Sequence, residues 1–92
     1  IRSFKDKDTE AIFSGKFVRR IPKQVAPLAA RKLNQVHGAG CLEDLRIPPG
    51  NRREALKGDR KGQHSIRIND RWRICFRWTP AGPAAVEIVD YH

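Results

Sequence analysis

Apolar residues recur at spacings of three and four between Gln24 and Val36, which is the pattern of a helix with one buried face. The residues of this apolar stripe are Val25, Leu28, Ala29, Leu33 and Val36. Pro27 has no backbone N–H to donate, so a helix tolerates it only in the first turn. We therefore expect the regular helix to begin no earlier than about Gln24, and we expect Gly38 and Gly40 to end it.

The segments on either side of this helix predict shorter elements. Residues 1–4 predict a short first strand, and Asp8 or Thr9 is placed to cap a brief helix through residues 11–13. After the long helix, residues 47–51 read IPPGN and predict a loop that cannot be helical, because proline breaks the hydrogen bonding of a helix.

From residue 65 onward the pattern has a period of two, which is typical of strands. The alternating large apolar residues are Ile66, Ile68, Trp72, Ile74, Phe76 and Trp78. A two-residue turn would place Ile66 opposite Arg73 and mix the two faces, because a one-residue slip moves every side chain to the other face. A three-residue turn at residues 69–71 instead aligns Ile66 with Ile74 and places Arg67 beside Arg73.

The predicted pairing of Arg67 with Arg73 points to a binding position on the free face of the sheet. Two like charges that face each other across strands cost stability unless an anion lies between them. Residues 85–91 predict the last strand, with Val86 and Ile88 on one face. The order β, α, α, β, β, β then predicts an α+β fold in which two N-terminal helices cover one side of an antiparallel sheet and leave a basic face opposite.

Length and charge limit the function classes. A chain of 92 residues makes one domain, residues 1–92, and no apolar run approaches the ~20 residues of a membrane span. A net charge of +9 favours a polyanionic partner, either nucleic acid or an acidic protein, although charge alone is equally typical of a merely soluble surface. Cys41 and Cys75 lack metal-ligand spacing, and a reduced cytosolic protein is the simpler interpretation.

Three motifs at these separations resemble the HigB branch of the RelE/ParE-like bacterial toxins. They are the LKGDR turn at residues 56–60, the INDRWRICF hairpin at residues 68–76 and the terminal DYH at residues 90–92. The resemblance implies a toxin of a type II toxin–antitoxin system in the bacterial cytoplasm. It further implies a ribosome-dependent endoribonuclease that cuts mRNA in the ribosomal A site and needs no metal or other cofactor. The implied partner is a HigA-type helix-turn-helix antitoxin, through which operator DNA is contacted indirectly.

Cleavage of this kind requires a base for the ribose 2′-hydroxyl, an acid for the departing oxygen, and cations for the growing charge. His92 is the best acid/base candidate, since an unperturbed histidine titrates at a pKa of ~6.5. Arg73 and Lys57 suit the phosphate, the first as a planar fork and the second as a mobile point charge. Tyr91 can stack on a base, align the attacking hydroxyl or simply pack. Asp90 can fix the tautomer of His92 or only balance nearby arginines.

Glu54 departs from part of the family, in which some HigB-type toxins carry a histidine three residues before the lysine of the LKGDR turn. A carboxylate there can act as the base, or it can pair with Lys57 or Arg73 and be inert. Three further cations fit RNA positioning better than chemistry, because phosphate contacts set register and affinity. These RNA-binding candidates are Arg60, Lys61 and Arg67.

Two other function classes remain open from the sequence. The same fold hosts functions that differ by site, so a ParE-like gyrase poison or a catalytically weak antitoxin-binding relative is possible. A plain nucleic-acid-binding module is disfavoured, because the alternation places the aromatic side chains in the core and leaves no exposed surface on which bases can stack. His64 falls on the apolar side of its strand and is expected to be half-buried, and Cys75 is expected to be a small packing residue.

Overall fold

Two helices cover one side of a four-stranded antiparallel sheet in the computed structural model, which describes residues 1–90. The helices are α1 (Lys7–Phe13) and α2 (Ala26–Gly38), and the strands are β1 (Glu54–Ala55), β2 (Gln63–Arg67), β3 (Trp72–Thr79) and β4 (Gly82–Asp90). The strands lie side by side in chain order, and every neighbouring pair is antiparallel. Single 3-10 turns span Leu42–Arg46, Pro49–Asn51 and Gly58–Arg60. The α+β class with an antiparallel sheet is confirmed.

Helix α1 is capped by Asp6, so the prediction of Asp8 or Thr9 as the cap is wrong. The Asp6 carboxylate accepts from the backbone N–H of Thr9 at 2.7 Å, which satisfies one of the free donors of the first turn. Thr9 cannot cap because its hydroxyl is buried and accepts from the backbone N–H of Ile88 at 2.9 Å. Asp8 lies inside the first turn, where it pairs with Arg20.

Helix α2 begins at Ala26 and carries Pro27 in its first turn, as the missing N–H requires. Ala29, Leu33 and Val36 are fully buried, which confirms that part of the apolar stripe. Leu28 is 39% exposed, so its placement on the buried stripe is wrong. At 3.6 residues per turn Leu28 lies about 100° around the helix from Ala29, at the margin of the packed face.

The predicted strand at residues 1–4 is wrong, because only a single parallel bridge joins Phe4 to Val86 there. The pairing register of β3 with β4 shifts between Cys75 and Arg77. At that bulge Ala85 has a left-handed φ of 51°, and its N–H turns to the Ser3 hydroxyl. The backbone of residues 2–5 still bonds to Pro83 and Val86 of β4, but the bulge interrupts the ladder and no regular strand forms.

The β2–β3 hairpin has the predicted register. Ile66 pairs with Ile74 and Arg67 with Arg73, and the Ile68 N–H donates to the Trp72 carbonyl at 2.8 Å to close the turn. Ile66, Ile74 and neighbouring strand residues form one core with the helices, as a sheet with one covered face requires.

Two features of residues 47–55 differ from the predictions. Pro49–Asn51 form one 3-10 turn, so the expectation of a wholly non-helical loop is wrong, since proline is tolerated at the start of such a turn. Strand β1 was not predicted, and its two residues pair with Ser65 and His64 of β2. Within residues 1–90, no helix is long and apolar enough to cross a membrane.

Cys75 is fully buried and Cys41 is exposed, and both are free thiols. Burial raises the pKa of the Cys75 thiol to about 11. Nearby arginines lower this pKa and nearby carboxylates raise it, both by smaller amounts than burial does. The interpretation of Cys75 as a packing residue is therefore supported, because a buried thiol with a raised pKa is inert.

We expect iodoacetamide at pH 8 to modify Cys41 in the folded protein and to leave Cys75 unmodified. The thiolate fraction alone predicts a rate for Cys75 about a hundredfold lower than for an unperturbed thiol, and burial lowers it further. Mass spectrometry of the native and guanidinium-unfolded protein measures the difference, with Cys41→Ser as the control that should show no native labelling. Labelling of both thiols at similar rates in the native protein would contradict the buried position of Cys75.

Candidate active site

The side of the sheet that faces away from the helices, here called the free face, carries two rows of side chains. Residues paired across neighbouring strands point to the same side of a sheet. The first row contains Glu54, Ser65, Cys75 and Glu87, and the second contains Arg67, Arg73 and Val89. Polar and charged groups of all four strands therefore meet on this face.

Arg73 is the most firmly held cation of the free face. Its side chain is 11% exposed, and its Nε donates to the Ser65 hydroxyl at 2.9 Å. Its Nη2 donates to the Arg52 carbonyl at 2.7 Å and lies 3.5 Å from a Glu54 carboxylate oxygen. Contacts on both sides of a planar guanidinium fix its orientation as well as its position.

The predicted neighbours Arg67 and Arg73 do face each other, but each has a carboxylate of its own. Arg67 pairs with Asp70 of the turn, and Arg73 pairs with Glu54 of β1. Those acids relieve the like-charge repulsion that the sequence pattern indicated. The pairing of two arginines is therefore not in itself an argument for a phosphate between them.

The LKGDR segment leads into the 3-10 turn Gly58–Arg60 at the rim of the free face. Arg60 folds onto the sheet, where its Nη1 lies 3.2 Å from a Glu87 oxygen and 3.1 Å from the Gln63 amide oxygen. Lys5 also pairs with Glu87, whose side chain is only 14% exposed. This clamp joins the turn, β4 and the N-terminal segment.

Lys57 and Lys61 flank the same turn and are exposed. Among residues 1–90, neither lysine makes an ion pair with a carboxylate. Both ammonium groups are thus available at the rim, in contrast to the arginines on the sheet. A flexible lysine of this kind can follow a phosphate as a mobile point charge.

Asp90 is not brought beside Arg73. The register places it opposite Trp72, and alternation puts it on the side of the sheet that carries Ile88. Arg71 donates to both carboxylate oxygens of Asp90, at 2.8 and 2.7 Å, and this contact raises the pKa of Arg71. The catalytic assignment of Asp90 stays a prediction. The predicted site residues Tyr91 and His92 lie outside the described residues.

His64 is half-buried beside Phe76, as the alternation predicted. Burial lowers the pKa of His64, and the neighbouring Arg53 lowers it further. Within residues 1–90, no cluster of three or more histidine, cysteine or acidic side chains has the geometry to hold a metal ion.

Three residues of the site were missed from the sequence: Arg52, Ser65 and Glu87. Ser65 and Glu87 could have been found by extending the hairpin register to the last strand, which places both in the row of Cys75. Arg52 acts through its backbone carbonyl, for which the sequence carries no signal.

Residues 2–92 match the sequence model of a family described as the RelE-like toxin of type II toxin-antitoxin system HigB. The chain is 42% identical over 90 residues to Toxin HigB-1 of Vibrio cholerae, an alignment that covers 97% of this chain and 94% of that protein. It is 29% identical over 96 residues to Endoribonuclease HigB of Proteus vulgaris, covering 100% and 99% of the two chains.

A solved structure described as a YoeB/ParE toxin from Agrobacterium tumefaciens superposes with a TM-score of 0.54 at 16% identity, covering 100% of this chain and 99% of that one. This likeness supports the RelE/ParE-like fold and carries no further argument about chemistry. The sequence match extends over nearly the entire chain and includes the hairpin and the LKGDR turn. The chain therefore belongs to the HigB-like family of RelE-like toxins of type II toxin–antitoxin systems.

Proposed function

We propose that this toxin is a ribosome-dependent endoribonuclease that cuts mRNA in the ribosomal A site and thereby inhibits translation and growth. The observation that carries the proposal is the anchored guanidinium of Arg73 on the free face. A cation fixed before the substrate arrives costs little reorganisation when charge develops on the phosphate. The relative from Proteus vulgaris, which bears the name Endoribonuclease HigB, supports the reaction class.

In this proposal the ribose 2′-hydroxyl attacks the adjacent phosphorus, and the 5′ oxygen leaves, without a metal ion. Arg73 holds the phosphate oxygens through its planar fork, and Lys57 reaches over the substrate from the rim. Glu54 lies next to Arg73 and its side chain is 54% exposed, so the carboxylate can contact both the substrate and the arginine. Glu54 accepts the hydroxyl proton, and His92 delivers a proton to the departing oxygen.

The remaining predicted residues have supporting roles. Tyr91 stacks on a base or aligns the hydroxyl. Asp90, which Arg71 holds, anchors the end of β4 ahead of Tyr91 and His92 rather than touching the phosphate. Lys61 and Arg67 position the RNA backbone, and Arg67 can exchange Asp70 for a phosphate because Asp70 is 96% exposed. Arg60 contributes mainly by holding the turn on Glu87.

The proposed partners follow from the family and the charge. A HigA-type helix-turn-helix antitoxin neutralises the toxin in the bacterial cytoplasm, and operator DNA is bound through that antitoxin. The net charge of +9 steers the toxin towards the anionic ribosome and mRNA, since such a field accelerates association with polyanions.

Programmed ribosomes test the proposal directly. We expect the toxin to create new mRNA 5′ ends at the A-site codon, which primer extension detects, and to leave the same naked mRNA intact. His92→Ala should abolish these ends, because it removes the proposed proton donor. Inhibition of translation without any cut in the mRNA would exclude the nuclease and favour a protein-binding mode of toxicity.

Substitution of Arg73 tests whether cleavage depends on the cation that is fixed on the free face. We expect Arg73→Ala to lower the single-turnover cleavage rate on ribosomes by about 10² to 10³, the usual cost of losing one such donor. Arg73→Lys should recover only part of that loss, because a lysine lacks the planar fork. Arg31→Ala is the matched control, since it removes the same charge from an exposed position of α2. A similar loss in both alanine variants would show that only net charge matters.

Replacement of Glu54 with glutamine separates its two possible roles. The amide oxygen of Glu54→Gln can still accept from Arg73, but the side chain can no longer take a proton. We expect the cleavage rate to fall by about 10² to 10⁴, with the base-dependent limb of the pH–rate profile lost. An unchanged rate would mean that Glu54 is only a partner of Arg73.

A further inference from the structure

Asn51 is a fully buried polar residue that no step of the proposed reaction uses. Its side-chain NH2 group lies within hydrogen-bonding distance of three acceptors, the Gln35 amide oxygen at 3.1 Å, the Leu45 carbonyl at 3.2 Å and the Ile47 carbonyl at 3.4 Å. Its amide oxygen accepts from the Lys32 ammonium at 2.5 Å. Asn51 therefore joins α2 to the segment that follows the Leu42–Arg46 turn.

The next residue, Arg52, carries the carbonyl that receives Arg73. Arg52 has a left-handed backbone with φ 44° and ψ 55°, a conformation that residues other than glycine rarely adopt unless their surroundings impose it. Its N–H donates to the Pro49 carbonyl at 3.1 Å, and its own carbonyl accepts from Arg73 Nη2 at 2.7 Å. The direction of that carbonyl thus depends on how the chain is held at residues 49–51.

Contacts on both sides of Arg52 hold this segment in place, and the Arg53 side chain adds contacts to His64 and Glu43. On its C-terminal side, Glu54 and Ala55 pair with β2, but a strand of two residues is a weak anchor. On its N-terminal side, the anchor is the buried Asn51. Ser65 meanwhile holds Arg73 from within the sheet. The guanidinium of Arg73 is therefore held between the sheet and a backbone segment that Asn51 helps to anchor.

We propose that Asn51 is a positioning residue for Arg73 and acts through the carbonyl of Arg52. It touches no substrate, and it sets the angle at which the guanidinium is presented on the free face. Lys32 and Gln35 extend the same connection to α2, on the opposite side of the sheet. The consequence for cleavage rests on the proposed function, whereas the consequence for the geometry of Arg73 does not.

The test compares Asn51→Ala with Thr9→Val in the full-length toxin. Both variants remove a fully buried polar group that bonds to the backbone, but Thr9 bonds to Ile88 of β4 and not to the segment around Arg52. Lys32→Met is a milder second variant for the case in which Asn51→Ala does not fold. It removes the donor to Asn51 and keeps a long apolar side chain at a half-buried position.

The readout that does not depend on activity is the Nε–Hε resonance of Arg73 in 15N NMR spectra, assigned with Arg73→Lys. We expect Asn51→Ala or Lys32→Met to shift this resonance and to accelerate its hydrogen exchange. Thr9→Val should lower the thermal midpoint and leave the resonance unchanged. An unmoved Arg73 resonance in Asn51→Ala, or in Lys32→Met where Asn51→Ala does not fold, would overturn the proposal and leave Asn51 a loop anchor.

Cleavage on ribosomes supplies the second readout. We expect kcat of Asn51→Ala to fall by about tenfold to a hundredfold with KM little changed, because a small misplacement of a reacting group has that effect. A moved Arg73 resonance combined with a wild-type protein that cuts no mRNA would refute the proposed function alone. A moved resonance with unaltered kcat in an active enzyme would overturn the functional part of the inference.

Discussion

The pairing register of β2 with β3 is the constraint on which the free face depends. Because successive strand residues point to opposite sides, alignment of Ile66 with Ile74 sends the apolar residues under the helices and leaves Arg73 outside. A slip of one residue would bury the guanidinium and expose the isoleucines. The turn protects against this slip, since the Asn69 side chain accepts from the N–H groups of Arg71 and Trp72.

The same register places Arg67 beside Arg73, and the two guanidinium groups repel each other. Each arginine is stabilised by different contacts. Arg73 is 11% exposed and contacts the Glu54 carboxylate, the Ser65 hydroxyl and the Arg52 carbonyl. Arg67 pairs instead with Asp70, which is 96% exposed. Ion pairs in water are weak and exchange easily. Of these two arginines, Arg73 is fixed and Arg67 is exchangeable, which suits the proposed division between holding a phosphate and positioning RNA.

The sequence predicted the hairpin because six alternating large apolar residues leave only one register that keeps the faces apart. It could not predict β1, whose two residues have no period and are ordered by their partners in β2. The sequence could not exclude Thr9 as the cap of α1, because the Thr9 hydroxyl accepts from the backbone N–H of Ile88, which lies 79 positions away. The ion pair of Asp90 with Arg71 could not be predicted either, because it depends on the pairing of β3 with β4, which places Asp90 opposite Trp72.

The charge of the chain and the position of Arg73 answer different physical requirements. A net charge of +9 attracts any polyanion and falls off with salt, so it cannot choose one phosphate among many. The exposed Lys57 and Lys61 contribute to this general attraction. In the proposed reaction, selection of a single phosphate requires a cation of fixed direction, and the Ser65 hydroxyl and the Arg52 carbonyl fix the direction of Arg73. The proposed site thus separates attraction, to which the exposed lysines at the rim contribute, from orientation, which Arg73 supplies with its hydrogen bonds already made.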